Sequence, residues 1–470
     1  MNDINILETS EYSSDFSGDT PKLPDDAENW WHRPKGKITA IDVAARLGLH
    51  IENKKPKTGD YVGLVWWPDP KDKEGQKSQK SNTALCVTPK FENMDYLAMY
   101  LECLKDPVVG PHMDKCFFFW PKKPLIEIPL KEVPLEQASA PFAAMAFVKE
   151  LHEMVRRNMR KNFLQKEENL TGRFKGRLLM GQHIRKNLLA GRPDRNYCQY
   201  GVISEDCREN QILLAALERC ARLLMSDERA KKNAKLMSMV RMCRTALQGV
   251  TLRRHIHERD FAGIRYTGTF VHYKRPHALA RMILNHKELD PSAKSPDKEG
   301  ETNKTVKVVP FALCTSELFE RYCEVQLRNV PNLKTWAGSE NLGREYPYRP
   351  DFLSAESITT THWILDAKYY RSYQKHDRKI SEDNIQQLLK YSQHKPVRDK
   401  MQSLIQRGDI TDLRLAILYP SLTAAKIESQ KDKGKGKEFK LEMEEDNGKY
   451  KEFILRLGFI PVYVPLNQKG

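Results

Sequence analysis

The segment YRPDFLSAESITTTHWILDAKYY (residues 348–370) places two acids and a lysine within the alternating apolar pattern of a strand hairpin. Because successive strand residues point to opposite faces, Asp366 and Lys368 share one face. A turn within residues 355–361 would bring Asp351 alongside Asp366 across the hairpin. Two carboxylates this close repel each other unless a cation lies between them, and hard oxygen ligands suit Mg²⁺ or Mn²⁺. These residues therefore predict a metal site.

Phosphodiester hydrolysis is the chemistry that such a site supports. A lysine beside the metal can orient or deprotonate a water and stabilise negative charge on a phosphate, while the metal acts as a Lewis acid. A structural interpretation is also open, in which Asp366 and Lys368 form an ion pair on a solvent-facing strand and Asp351 begins a turn. The pattern D…D-x-K occurs by chance, so the choice depends on the surrounding elements.

The elements around the hairpin have the order of an α/β domain. A helix is predicted over SELFERYCEVQLRNV before it, and a second helix over SEDNIQQLLKYSQ after it. The apolar strand LRLAILYP and a last strand PVYVPL follow. This order places Glu320 on the preceding helix and Gln387 on the following one.

Length and charge indicate a multi-domain protein with a polyanionic partner. A chain of 470 residues exceeds the size of one compact core, which stops growing near ~250–300 residues. Its formal net charge of +16 attracts polyanions, of which nucleic acid is the leading candidate. No segment approaches the ~20 apolar residues of a membrane span, and the polar N-terminus lacks a signal peptide pattern, so a cytoplasmic protein is expected.

Shifts in composition divide the chain into four parts. They are a disordered polar tail over 1–30, a small and partly β N-terminal domain over 31–135, a mainly helical middle domain over 136–305, and the α/β domain over 306–470. Within the middle domain, AFVKELHEMVRRNMRKNFLQ (146–165) has helical spacing. The longest helical pattern begins at Glu209 and is expected to break near Ser226–Asp227.

Residues 156–186 form the densest basic region that is expected to be ordered. The candidates for contact with a DNA backbone are Arg156, Arg157, Arg160, Lys161, Arg173, Lys175 and Arg177. Phosphate contacts require only flexible cations along one face. A solvated helix face, or a surface that meets an acidic patch on a partner protein, would have the same composition.

The helix, hairpin and helix, with Pro350–Asp351 and Asp366–Ala367–Lys368, resemble the PD-(D/E)xK nuclease superfamily. A closer resemblance, over about 145–465, is to McrC, the nuclease subunit of McrBC modification-dependent restriction systems. The similar motifs are LTGRFKGRLLMGQHIRKNLLAGRPDRNYCQYGVISEDCRENQILLAAL, ELFERYCEVQL, RPDF, ILDAKYY, NIQQLLKY and LAILYP. The N-terminal domain is similar mainly through CVTPKFENMDYLAMYLECL, which carries Pro89–Lys90.

The resemblance implies a restriction-endonuclease-like α/β domain with a central mixed sheet flanked by helices, and a role for each site residue. Mg²⁺ would be held by Asp351, Asp366 and the backbone carbonyl of Ala367. Lys368 would orient or deprotonate the attacking water. Supporting roles would fall to Glu320 and Gln387. Glu317 competes with Glu320, since helix residues three apart lie near one face.

The resemblance also implies a partner. In this family a McrB-like AAA+ GTPase hexamer recognises methylated or otherwise modified double-stranded DNA and translocates. The McrC subunit docks on that ring through its N-terminal region, stimulates GTP hydrolysis and cuts the DNA. The sequence agrees, because it contains no G-x-x-x-x-G-K-[ST] phosphate-binding loop. Two alternatives stay open: an adaptor that only activates the ring, and a stand-alone PD-(D/E)xK nuclease.

Overall fold

A mixed α/β arrangement is present in the computed structural model of the chain. The residues that it describes are 5–18, 20, 49–52, 55–67, 83–91, 93–119, 126–129, 136–285, 305–308, 310–329, 333–337, 350–357, 361–369, 382–393, 397, 399, 412–422, 438–444 and 450–466. Within them, none of the helices combines the length and the apolar character that a membrane-spanning helix needs.

Strands occur on both sides of a helical middle region. In chain order they are β1 (Asn5–Ser10), β2 (His50–Glu52), β3 (Lys55–Lys57), β4 (Tyr61–Trp66), β5 (Thr83–Thr88), β6 (Phe117–Phe119), β7 (Ile126–Pro129), β8 (Asn162–Thr171), β9 (Arg177–Leu178), β10 (Arg195–Ser204), β11 (Thr305–Val308), β12 (Phe311–Cys314), β13 (Leu333–Ala337), β14 (Phe352–Ser357), β15 (Thr361–Ala367), β16 (Asp412–Ser421), β17 (Glu438–Glu444) and β18 (Tyr450–Tyr463).

The α-helices are α1 (Tyr96–Lys105), α2 (Glu136–Val155), α3 (Met180–His183), α4 (Arg208–Ser226), α5 (Glu228–Lys231), α6 (Ala234–Ala246), α7 (Lys274–Asn285), α8 (Thr315–Arg328) and α9 (Glu382–Gln393). A π turn over Ile184–Leu188 continues α3, and short 3₁₀ helices occur at Gly110–Lys115, Glu258–Phe261 and Gly268–Tyr273.

The chain forms two units. One consists of Ile128–Lys307, bounds close to those of the predicted middle domain, and the other consists of Met1–Glu127 with Val308–Gly470. The N-terminal domain and the α/β domain, predicted as separate, are therefore one unit. The physical reason is strand β12, which follows the middle region in the chain but pairs antiparallel with both β4 and β6.

A five-stranded sheet in the order β1-β5-β4-β12-β6 joins these distant parts of the sequence. Gly63 on β4 has φ of +146°, and a Cβ there would lie 2.2 Å from the carbonyl oxygen of Phe311 on β12. Only glycine permits this approach of the two backbones. Substitution of this glycine would therefore separate the strands that join the two segments.

The prediction of a disordered tail over residues 1–30 is wrong for its first part. Strand β1 pairs in parallel with β5, and Leu7 is buried in an apolar cluster with Leu49, Val65 and Trp67. The polar composition of this segment is compatible with order because a sheet edge some 75 residues away supplies the hydrogen bonds. Residues 21–30 of the predicted tail lie outside the described part.

A six-stranded mixed sheet in the order β13-β14-β15-β16-β18-β17 carries the predicted hairpin. The hairpin strands β14 and β15 are antiparallel, whereas β15 and β16 are parallel, as are β16 and β18. Ile364 and Leu365 are buried, and so is the run Leu415–Leu418 of the neighbouring strand. Burial on both faces explains the near-continuous apolar runs WIL and LAIL.

The middle unit has a helical core and a three-stranded antiparallel sheet in the order β8-β10-β9. The predicted helix break is confirmed, because α4 ends at Ser226 and the Asp227 side chain caps α5 by accepting from two backbone N–H groups. The helix predicted over 146–165 is wrong in its last part, which becomes strand β8. Pairing with β10 along the whole of β8 supplies the hydrogen bonds of its backbone there.

His277 on α7 is a buried titratable side chain of this unit. Its Nε2 lies 3.0 Å from the backbone carbonyl oxygen of Glu209, and its Nδ1 lies 3.1 Å from the Tyr266 hydroxyl. These contacts satisfy the neutral ring. Burial lowers the pKa of His277 from 6.5 to about 4.

Acid should therefore destabilise this unit. The unfolded chain takes up a proton at His277 below pH 6.5, whereas the folded chain resists protonation until about pH 4, so stability is lost as the pH falls through this window. We expect the His277 contribution at pH 5 to be about 2 kcal/mol lower than at pH 7. Urea unfolding of the full chain at both pH values measures the loss.

The His277→Gln variant should show a smaller difference between the two pH values than the wild type. The exposed His255 provides a matched control, since His255→Gln should leave the difference unchanged. An equal pH dependence in the wild type and His277→Gln would contradict this assignment.

Candidate active site

The register of the β14–β15 hairpin brings the two aspartates together. Phe352 faces Leu365 and Leu353 faces Ile364, so Asp351, one residue before β14, is next to Asp366 near the end of β15. The predicted convergence of the two carboxylates is confirmed. The interval between the strands spans 358–360, which are outside the described residues.

Short contacts link the ends of the two strands. The backbone N–H of Ala367 donates a hydrogen bond of 2.7 Å to Asp351 Oδ2. Lys368 Nζ lies 2.8 Å from Asp366 Oδ2, and the Lys368 backbone N–H donates to the Leu418 carbonyl oxygen on β16 at 2.8 Å. The acid-acid-lysine set is thus held by backbone as well as by side chains.

Asp366 is buried, with only 1% of its surface exposed. The alternative of an ion pair on a solvent-facing strand is therefore wrong. Although Lys368 Nζ is an ionic neighbour, Asp366 Oδ2 accepts no directed hydrogen bond from the described residues. A carboxylate oxygen can accept from more than one partner, so this oxygen can take a further ligand besides the ammonium.

Three carboxylates affect one another at this site. Burial, and then the charges of Asp366 and Glu320, raise the pKa of Asp351 well above its usual value. The hydrogen bond from Ala367 and the charge of Lys368 oppose this rise without reversing it. A cation placed among these carboxylates would oppose the rise in the pKa of Asp351.

The structure distinguishes Glu320 from Glu317 on helix α8. Glu317 Oε1 accepts hydrogen bonds from the Arg321 guanidinium at 3.0 and 2.9 Å, and the ion-pair ladder continues through Glu324 to Arg328. Glu320 is instead the helix carboxylate whose charge acts on Asp351. Of the two, Glu320 is placed to support the aspartates.

Gln387 on α9 reaches the site through another side chain. Its Nε2 donates a hydrogen bond to the hydroxyl of Tyr391, one helical turn later. Tyr391 is buried and hydrogen-bonded with Asp366, and its pKa is raised first by burial and then by the charges of Asp366 and Asp351. Tyr391 was missed from sequence, although its position four residues after Gln387 puts both on one helix face.

The donor set fits a hard divalent cation that also keeps water ligands. Among the described residues, no group of three or more His, Cys, Asp and Glu side chains is arranged to hold a metal ion by itself. Mg²⁺ is typically bound through one or two carboxylates, with waters and substrate oxygens completing the octahedron. Asp351, Asp366 and the carbonyl of Ala367 match that pattern, and the buried Asp366 Oδ2 can take a further ligand besides Lys368.

A comparison with protein families identifies the family of the chain. The sequence model of the family described as "McrBC 5-methylcytosine restriction system component" matches residues 71–405, more than half of the chain. The chain belongs to this McrBC family. No match is found among curated proteins.

Among solved structures, two similar chains come from Thermococcus gammatolerans. The first belongs to the refined half-complex from a tetradecameric assembly of McrB AAA+ hexamers with bound McrC, with 18% identity, a TM-score of 0.37, and coverage of 97% of this chain and 95% of that chain. The second belongs to the cryo-EM structure of the McrBC complex, with 16% identity, a TM-score of 0.29, and coverage of 69% and 87% respectively.

In this McrBC-family chain the basic candidates fall at two ends of strand β8. Arg160 and Lys161 precede the strand, whereas Arg173, Lys175 and Arg177 follow it. Its ten residues span roughly 30 Å. The single basic face expected from the sequence is therefore divided, because α2 ends at Val155 and strand β8 begins at Asn162.

Several of these cations already have partners inside the protein. Arg160 lies 3.2 Å from Glu209 and Lys161 lies 3.2 Å from Glu205, while the Lys175 ammonium lies over the Tyr200 ring at 4.2 Å. Arg156 and Arg157 are exposed in a turn after α2, and Arg173 and Arg177 are exposed beyond β8. Contact with DNA stays a prediction for all seven.

The segment between β8 and β10, residues 172–194, is called here the hairpin tip. Its exposed apolar side chains are Phe174, Met180, Ile184, Leu188 and Leu189. The tip is nevertheless ordered, because the buried Asn187 amide exchanges hydrogen bonds of 2.8 and 2.9 Å with Asn169. The tip is thus a folded element that leaves Leu189 79% exposed.

Binding of Mg²⁺ should raise the thermal stability of the chain through Asp351. A ligand that binds only the native state stabilises it, and about a hundredfold excess over Kd contributes about 2.7 kcal/mol. Asp351→Asn keeps an oxygen that can accept from Ala367 but lacks the charge that attracts the metal. We therefore expect Mg²⁺ to raise Tm for the wild type and not for Asp351→Asn, measured by scanning calorimetry.

The exposed Asp194 provides the matched control, since Asp194→Asn should retain the Mg²⁺-dependent increase in Tm. An increase in Asp351→Asn as large as that of the wild type would show that the cation binds elsewhere.

Proposed function

We propose that this chain is the Mg²⁺-dependent DNA endonuclease subunit of a modification-dependent restriction system, with a PD-(D/E)xK active site. One observation carries the proposal: Asp351, Asp366 and Lys368 converge at a buried position in a chain of the McrBC family. Three ionisable groups that are costly to desolvate are held together, as hydrolysis of a phosphodiester requires.

The aspartates and the Ala367 carbonyl would hold Mg²⁺, which supplies Lewis acid chemistry toward a phosphoryl oxygen when bound. The chain's own residues position the attacking water and the phosphate. Lys368 Nζ, held 2.8 Å from Asp366, is the cation that orients the attacking water and stabilises charge on the phosphate. Tyr391, supported by Gln387, restrains the Asp366 carboxylate.

The substrate that we propose is double-stranded DNA carrying methylated or otherwise modified bases. The formal charge of +16 favours encounter with a polyanion. Recognition of the modification would belong to the partner, a McrB-like AAA+ GTPase hexamer, and both proteins would act in the cytoplasm. Family membership and the absence of a phosphate-binding loop in this sequence support that division.

We also propose that the hairpin tip, rather than the N-terminal region alone, contacts the GTPase ring. Its apolar side chains are interleaved with Arg173, Lys175 and Arg177, which suits an apolar protein surface with acidic residues around it. DNA, which offers phosphates and grooves, would leave Leu188 and Leu189 exposed to water. Docking of a protein removes this apolar surface from water.

The test of the nuclease combines this chain with a McrB-like AAA+ GTPase, GTP, Mg²⁺ and methylated DNA. Wild type should cut the DNA, whereas Asp366→Ala and Lys368→Ala should lose cleavage by about a thousandfold or more while keeping partner binding. Glu320→Gln should reduce cleavage by more than about tenfold, since it removes a carboxylate beside Asp351.

Glu317→Gln is the matched control on the same helix, and it should alter stability rather than the cleavage rate. GTP hydrolysis stimulated equally by wild type and Asp366→Ala, without cleavage of any DNA tested, would favour the adaptor alternative. Efficient cleavage by the purified chain alone would favour the stand-alone nuclease.

The tip is tested by placing a charge on its apolar surface. Leu189→Glu should abolish stimulation of the partner's GTPase and weaken partner binding, because the introduced carboxylate would be buried without a counter-charge. Tm of the chain should not change, since Leu189 is exposed. Leu252→Glu, at an apolar residue that is also exposed but lies outside the tip, should stimulate normally; normal stimulation by Leu189→Glu would exclude the tip.

A further inference from the structure

Tyr369 follows the proposed catalytic lysine directly and has left the sheet, yet it is buried. Its hydroxyl lies 2.6 Å from that of Tyr96 on α1, and its ring packs against Phe91 and against Phe319 of α8, with centroid distances of 5.1 and 5.8 Å. The residue that determines where Lys368 points is thus enclosed by side chains from the N-terminal segment and from the helix that carries Glu320.

Lys90 holds the backbone of this residue. Its ammonium donates a hydrogen bond to the Tyr369 carbonyl oxygen and lies 4.1 Å from the centroid of the Tyr369 ring and 4.5 Å from that of Tyr12. Lys90 comes from the turn after β5, in the five-stranded sheet. A cation from one sheet therefore restrains the main chain at the end of a strand in the other.

Glu11 fixes Lys90 in turn. Glu11 Oε2 accepts the Lys90 backbone N–H at 3.1 Å, and Oε1 accepts a hydrogen bond from the Thr315 hydroxyl at the start of α8. Thr315 also contacts Asp60, since its N–H donates to the Asp60 carbonyl oxygen at 2.9 Å. The carboxylate follows β1, so the N-terminal strand is part of this arrangement.

Burial of these charges is costly, which argues against a fortuitous contact. Burial raises the pKa of Glu11 to about 7 and lowers the pKa of Lys90 to about 8, in spite of the attraction between the two charges. An apolar side chain of similar length would fill the same space at a lower desolvation cost. The lysine adds a hydrogen bond directed at one main-chain oxygen.

Contact with DNA does not explain Lys90. Its ammonium is directed into the protein, against a carbonyl oxygen and two aromatic rings, whereas phosphate contacts are made by cations that extend into solvent. The geometry of its contacts is that of an internal restraint on the segment Lys368–Tyr369.

We propose that Lys90 is a positioning residue for Lys368, which makes the five-stranded sheet part of the active site. By holding the Tyr369 carbonyl, Lys90 fixes the direction in which the Lys368 side chain leaves β15 and keeps its ammonium against Asp366. This inference rests on the proposed nuclease function. It adds to that function a residue from outside the acid-acid-lysine hairpin.

Two variants of Lys90 separate the hydrogen bond from packing. Lys90→Met keeps the length of the side chain and removes the donor, and Lys90→Arg keeps a donor. Under single-turnover conditions with saturating DNA, we expect Lys90→Met to lower the cleavage rate constant by about tenfold to a hundredfold, because small misplacement of a catalytic group has effects of this size. The DNA concentration for half-saturation should not change, and Lys90→Arg should recover part of the rate.

A second measurement does not depend on cleavage. Hydrogen exchange followed by mass spectrometry should show faster exchange of the peptide that contains Lys368 and Tyr369 in Lys90→Met than in wild type. If wild type fails to cut DNA, the proposed function fails while this exchange experiment still decides whether Lys90 restrains the segment. Lys105→Met, at an exposed lysine on α1, should match wild type in both measurements.

Unchanged cleavage and unchanged exchange in a folded Lys90→Met would overturn the proposal. So would a loss of cleavage with unchanged exchange, since Lys90 would then act elsewhere. If Lys90→Met does not fold, Thr315→Val removes one hydrogen bond from Glu11 and should produce smaller changes in the same direction. Wild-type behaviour of Thr315→Val in both measurements would then count against the proposal.

Discussion

Repulsion among the buried carboxylates of the candidate active site is the constraint on which the structure around the β14–β15 hairpin depends. Facing residues on antiparallel strands have Cβ atoms about 5 Å apart. Two unit charges at that distance repel by roughly 3 kcal/mol at an effective dielectric constant of ~20. One hydrogen bond to a charged group contributes about 1.5–3 kcal/mol, so the N–H of Ala367 offsets at most one such repulsion. The ammonium of Lys368 offsets another, and Glu320 adds a third carboxylate.

The contacts that the surrounding sheet and helices make with the site can be understood from this balance of charges. Parallel pairing of β15 with β16 ties the Lys368 backbone to Leu418, and the antiparallel hairpin sets the separation of the aspartates. Helix α9 supplies Tyr391 to Asp366, and helix α8 carries Glu320, whose charge raises the pKa of Asp351. A divalent cation is the ligand whose charge suits this excess of carboxylates.

The two units differ in the feature that each leaves open to a ligand. This difference suggests that the units have different tasks. In the unit that contains the β14–β15 hairpin, the group open to a ligand is the buried carboxylate of Asp366, which suits a small hard ion. In the middle unit it is apolar, because the hairpin tip is ordered by Asn187 yet exposes Leu188 and Leu189 to solvent. Chemistry and partner binding would then reside in separate units.

Features that depend on local periodicity were determined by the sequence. The alternation in WILDAK identifies a strand with Asp366 and Lys368 on one face, and helical spacing predicts α8, α9 and the break at Ser226–Asp227. These follow from residues a few positions apart, whose geometry is that of the strand or helix itself. They were sufficient to locate the acid-acid-lysine set and the family it resembles.

Only the tertiary structure decided the rest. The pairing of β1 with β5 and the insertion of β12 between β4 and β6 join residues far apart in the chain, and no local pattern encodes such partners. The effect of the Glu320 charge on Asp351 became visible only in the folded chain, as did the contacts of Tyr391 with Asp366 and of Lys90 with Tyr369. The sequence determined which groups could do the chemistry; long-range packing decided which others hold them in place, because side-chain contacts form only once the sheets are assembled.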